Sequence, residues 1–100
     1  MSAGANWKEM FMAAQNGDEA LVNYHLKSGV DPNYQHPEIL CTPLVVAAEN
    51  GHLEIVKLLL GNGAQPELAS LFEGTTPLQA ARLFGQKHIV TYLTAQGIEC

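Results

Sequence analysis

Apolar residues recur along the chain at spacings of three and four, in short bursts separated by polar, turn-rich stretches. The clearest burst runs from Leu53 to about Gly61, where Ile55, Val56, Leu59 and Leu60 fall on one helical face. Gly63 follows as a stop. A shorter burst precedes it, with Leu44, Ala47 and Ala48 on one face. Thr42 is placed to cap that helix, and Pro43 fits its first turn, where a missing N–H costs nothing. Gly51 can adopt a positive φ and end it. The pattern predicts two helices joined by a tight turn, with the small Ala47 and Ala48 allowing close approach. From Ala64 to Thr75 helical periodicity is lost, and Pro66, Ser70 and Gly74 predict an extended, turning finger. Val30 to Cys41 matches it, with Pro32, Asn33 and Pro37.

This arrangement returns every 34 residues. Ala13, Ala47 and Ala81 keep that spacing, as do Gly17, Gly51 and Gly85, Val22, Val56 and Val90, and Gly29, Gly63 and Gly97. Thr42-Pro43-Leu44 returns as Thr76-Pro77-Leu78, and Pro32 as Pro66. A fixed period of this size marks stacked units, none of which buries its apolar face alone. One domain over residues 1–100 is expected, with units at about 7–40, 41–74 and 75–100.

The units resemble ankyrin repeats. Thr-Pro-Leu starts stand at 42–44 and 76–78, an Ala-Ala-x-x-Gly-His turn at 47–52, and an Ile-Val-x-x-Leu-Leu-x-x-Gly-Ala helix at 55–64. The third unit keeps Ala81, Gly85, Ile89, Val90, Leu93 and Gly97, and the first keeps Ala13-Ala14, Gly17, Leu21, Val22, Leu26 and Gly29. The resemblance covers about residues 7–100. It implies an all-α solenoid of three helix-turn-helix units with projecting β-turn or hairpin fingers, whose concave face of fingers and first helices holds a protein partner. Two departures stand out. The period exceeds the family's usual 33 by one, which places an extra residue in each finger. Val45 and Gln79 replace the usual His of the first helix, so hydrogen bonding at those helix starts is expected to be rewired.

End units should be more polar on their outer sides. His25 stands where the middle unit has Leu59, and Thr94 where it has Leu60. His25 is expected at an open N-terminal end and Thr94 at an open C-terminal end, closing the array at three units.

Charge narrows the partners. The net charge is −5, and the five basic residues are scattered from Lys8 to Lys87. Phosphate binding needs clustered Lys and Arg, so neither nucleic acid nor an anionic membrane is an expected partner. Met1 to Asn6 shows no basic run before an apolar stretch, and the apolar runs are too short to span a bilayer. A monomeric cytoplasmic protein is expected, with Cys41 and Cys100 as free thiols.

Candidate chemistry adds little. His25, His36 and Cys41 are the best metal-binding set, but they lack the short paired spacing of a zinc site. They read as an end residue, a solvated finger residue and a small filler, so no metal or cofactor is expected. Glu38 and Glu73 read as surface charges rather than a catalytic pair. His52 is expected to bond backbone between units, and His88 to be an exposed helix residue. No nucleophile motif or phosphate-binding loop is present, so no enzyme activity is expected.

A partner surface is sought where residues have no evident structural task. Trp7, Tyr34, Glu38, Ile39, Glu49, Phe72, Glu73, Leu83 and Phe84 are the candidates. Leu83 and Phe84 replace polar residues of both other units, and apolar residues on a polar surface are typical interface anchors. Glu38, Glu49, Glu67 and Glu73 form a rim that favours a basic or mixed-charge segment. Such a module would scaffold a partner, or regulate or inhibit an enzyme through the same face; the remaining alternative, a small metal-dependent enzyme, would have to use His25, His36 and Cys41.

Overall fold

The computed structural model describes residues 6–71 and 73–99. The candidate Phe72, the terminal Cys100 and the first five residues lie outside them. The helices are α1 (Trp7–Asn16), α2 (Glu19–Lys27), α3 (Pro43–Glu49), α4 (Leu53–Gly61), α5 (Pro77–Leu83) and α6 (Lys87–Ala95), with no strand among the described residues. They pair as α1–α2, α3–α4 and α5–α6. The first helices pack in one layer, α1 on α3 on α5, and the second helices in another, α2 on α4 on α6.

The starts of α3 and α5 follow the sequence. The Thr42 hydroxyl accepts from Val45 N at 3.3 Å, and Pro43 opens the first turn. Thr76 accepts from Gln79 N at 3.3 Å, and the Gln79 side chain accepts in return from Thr76 N at 3.0 Å. Gln79 thus completes a reciprocal cap that Val45 cannot make. Val45 is fully buried instead. The rewiring expected at these two positions therefore takes two forms, one polar and one apolar.

The core lies between the layers. Met10, Ala14, Val22, Leu44, Ala47, Ala48, Ile55, Val56, Leu59, Leu78, Ala81, Ile89 and Leu93 have almost no exposed surface. Side chains then stitch the units together. His52 Nε2 donates to Gln15 O at 3.1 Å, as expected of that residue. Thirty-four residues later Gln86 donates to Glu49 O at 2.9 Å, and His88 adds a bond to Gly51 O at 3.0 Å. His88 is exposed, yet it also bridges units. Gly51 has φ of +78°, and a Cβ there would meet the Gln86 side chain at 2.6 Å. Its glycine serves both the turn and the close approach of the next unit.

The two end substitutions behave differently. Thr94 is exposed, and its hydroxyl donates back to Val90 O at 2.9 Å, which suits an outer face. His25 does not face solvent as expected: it is 2% exposed. Its Nε2 lies 2.6 Å from Glu9 Oε1, tying α2 to α1, and its Nδ1 is buried without a partner. The position that holds Leu59 and Leu93 points into each unit's own core, so a polar residue there is enclosed whichever unit carries it.

The fingers are folded by turns. In the first, residues 30–41, the backbone closes on His36, whose carbonyl accepts from Ile39 N and Leu40 N at 3.0 and 2.7 Å. His36 Nδ1 accepts from Glu38 N at 3.0 Å. The ring stacks on Trp7, with centroids 4.4 Å apart and planes 15° apart. His36 is thus half-buried rather than the solvated residue expected. In the second finger, residues 64–75, Ser70 N donates to Thr75 O at 2.8 Å and Gly74 N to Ser70 O at 2.6 Å.

Candidate functional site

The two fingers are tied side by side. Asn33 Nδ2 donates to Gly63 O at 3.0 Å, while its Oδ1 accepts from Gln65 N at 2.8 Å. Gln35 Nε2 donates to Ala69 O at 2.9 Å. Leu40 O accepts from Leu71 N at 2.8 Å and from Ser70 Oγ at 3.2 Å. Leu40 holds a left-handed backbone with φ of +58°, a conformation that disfavours a side chain. That conformation is part of the turn that presents its carbonyl to the second finger.

Where the fingers meet α3 they leave a cleft of about 300 Å³, lined by Ile39, Cys41, Val46, Glu49, Ser70 and Glu73. Three of the nine candidate residues, Ile39, Glu49 and Glu73, therefore share one wall-to-wall space although up to 34 residues separate them in sequence. Ile39, Cys41 and Val46 supply apolar surface. Ser70 is buried, with its hydroxyl occupied by Leu40 O and Glu73 N.

The cleft is electrostatically uncomfortable for negative charge. Burial, with the nearby Glu73 carboxylate adding to it, holds the Glu49 carboxyl above the usual carboxylate range. Burial, with Glu49 next in importance, pushes the Cys41 thiol up to about 11. Cys41 is therefore a neutral thiol at physiological pH, suited to packing and poor as a nucleophile. Its role as a small filler agrees with that state.

The remaining candidates among the described residues lie apart from the cleft. Trp7 is half-buried between finger and helix, stacked on His36 and 5.6 Å from the Tyr34 ring, so it joins α1 to the first finger. Tyr34 is 41% exposed at the edge of that aromatic cluster. Glu38 is exposed at the finger turn. Leu83 and Phe84, at the C-terminal end of α5, are 71% and 56% exposed and do not line the cleft. Val46 stands in an apolar run and reads from sequence as core rather than as part of a site. Ser70 reads from sequence as a turn former, and Cys41 as a small filler just before a first helix. The sequence held no signal that these three border one space, since their proximity depends on how the fingers pair.

Among the described residues no group of three or more His, Cys, Asp or Glu could hold a metal ion, and no helix is long and apolar enough to cross a membrane. A family model for ankyrin repeats, in three copies, matches residues 10–100. No curated protein matches the chain.

Proposed function

The chain belongs to the ankyrin-repeat family, and on that premise we propose that it is a non-catalytic module that docks a segment of a protein partner on its concave face, in the cleft between the fingers. Ankyrin repeats generally mediate protein–protein interaction. The observation that carries the reading to this place is the cleft itself, which gathers Ile39, Glu49 and Glu73 around an apolar floor. Desolvating that floor favours binding, while charged groups at the rim select the partner and speed its approach. Repeat frames hold such surfaces rigid, so little ordering cost falls on the module when it binds.

The same cleft would serve a scaffold or an inhibitor of an enzyme, and an activity assay on the captured partner separates these. The test of the reading itself is affinity capture with three immobilised proteins: the natural chain, Ile39→Asp, and the Leu83→Asp/Phe84→Asp double variant, each verified to keep its helical circular dichroism. The reading predicts that Ile39→Asp loses the proteins retained by the natural chain and that the double variant keeps them. Retention by Ile39→Asp together with loss by the double variant would move the site to the end of α5.

A further inference from the structure

The cleft holds two carboxylates for which the described residues supply no cation. From Ser28 to Ala81 the sequence carries six acidic residues and a single basic one, Lys57. Lys57 is on α4, within 3.5 Å of Glu54 on its own helix. Among the described residues, the ion pairs are that one and Glu9 with His25, so neither Glu49 nor Glu73 has a cationic partner. Like charges near one another repel, and the Glu73 carboxylate adds to burial in holding the Glu49 carboxyl above its usual range. A ligand that brings positive charge relieves both at once.

The space limits what that ligand is. About 300 Å³ is at the small end of ligand pockets, which run from about 300 to 1,000 Å³, and suits one side chain better than a cofactor. Among the described residues no group of three or more His, Cys, Asp or Glu gathers here or elsewhere that could hold a metal ion. The walls are also amphipathic: Ile39, Val46 and Cys41 offer apolar surface beside the two carboxylates. A long side chain with an apolar stem and a charged end matches that division. Between the two basic types, guanidinium is the more weakly hydrated, so it loses less on entering a half-buried site. Its planar fork presents several donors, which can serve two carboxylates together.

We infer that the cleft receives an arginine side chain of the partner segment, with its guanidinium at Glu49 and Glu73 and its stem along Ile39 and Val46. The inference rests on the concave-face reading and specifies its chemistry. It also gives the acidic rim a task the repeat frame does not need.

The test uses N-acetyl-arginine methylamide as the probe, titrated into the isotope-labelled chain and followed by the amide and side-chain carboxyl signals. The citrulline counterpart, equal in shape and without charge, and the lysine counterpart run beside it. Saturable shifts centred on Val46, Glu49 and Glu73 are expected from the arginine probe in the millimolar range, with none from citrulline and weaker ones from lysine. Glu49→Gln and Glu73→Gln, each with an otherwise unchanged amide spectrum, should weaken the arginine probe roughly tenfold. Equal response to citrulline, or no saturable shift at Glu49 and Glu73, overturns the inference. An equal or stronger response to lysine overturns its choice of arginine. None of these results changes what Ile39→Asp does in the capture experiment, so arginine recognition and partner docking fail separately.

Discussion

The two fingers occupy equivalent places in the repeat, yet they are held differently. The first is fastened on both sides: Trp7 stacks on His36, and Asn33, Gln35 and Leu40 bond to the second finger. The second receives those bonds, with its own Ser70 hydroxyl returning one to Leu40 O. Equivalent positions carry different residues. Asn33 corresponds to Glu67, Gln35 to Ala69, and left-handed Leu40 to left-handed Gly74. The repeat thus preserves the turn while varying the side chains that couple one finger to the next. The cleft exists because the first finger reaches across to the second, so it depends on the residues in which the units differ.

Breaking that reach should have the largest effect. Asn33→Ala removes two bonds, to Gly63 and Gln65 at the entry to the second finger, and is expected to cost about 2 kcal/mol in chemical denaturation. Glu67→Ala, at the equivalent place in the second finger, should lie within about 0.5 kcal/mol of the natural chain. Equal losses would mean that the fingers do not differ in how they are fastened.

The left-handed turn gives a smaller effect. Gly74 has φ of +71°, and a Cβ there would meet nothing within 4 Å. Gly74→Ala should therefore cost about 1 kcal/mol, from backbone conformation alone. Leu40→Gly should be nearly neutral, within about 1 kcal/mol, because relief of the same backbone cost offsets the lost burial of a half-buried side chain. Thermal unfolding of both variants checks the pair. A large loss for Leu40→Gly would show that the side chain, rather than the carbonyl it positions, holds the fingers together.

The helical frame was legible in the sequence because equivalent residues do equivalent work. Thr42 and Thr76 cap, Gly51 turns, and His52 bridges units, each as its type and spacing imply. The replacement of His52 by Gln86 was not legible, since only geometry shows that a Gln reaches the same carbonyl of the preceding unit. His25 misled for a related reason. Polarity suggested an outer position, whereas a carboxylate from Glu9 lets a histidine occupy a buried one. The candidate cleft was legible in part. The divergent residues Ile39, Glu49 and Glu73 stood out, but their meeting place did not, because it is set by hydrogen bonds between fingers rather than by periodicity. Trp7 stood out as well and turned out to stack on His36, a contact between segments about thirty residues apart.

The smallest expected effects concern charge in the cleft. Glu49 is held above the usual carboxylate range, so the folded chain binds its proton more readily than the unfolded chain does. Stability attributable to this group therefore falls as pH rises through the carboxylate range and stays lower at neutral pH. Glu49→Gln should be slightly more stable than the natural chain at pH 7, by less than about 0.5 kcal/mol given its partial exposure, and the gain should shrink as pH falls below that range. A gain independent of pH would point to packing instead. For Cys41, raised from 9.0 to about 11, iodoacetamide labelling in a Cys100→Ser background should be slow at pH 8 and accelerate only well above pH 9. Rapid labelling at pH 8 would mean that the cleft is more open than its burial indicates.

Amide hydrogen exchange, measured on the chain alone and with its captured partner bound, tests the central claim most directly. The account predicts new protection at residues 39–41, 46–49, 70–71 and 73–75, around the cleft between the fingers and α3, with little change in α2 and α6. Protection confined to the end of α5 around Leu83, or to the second-helix layer, would contradict it.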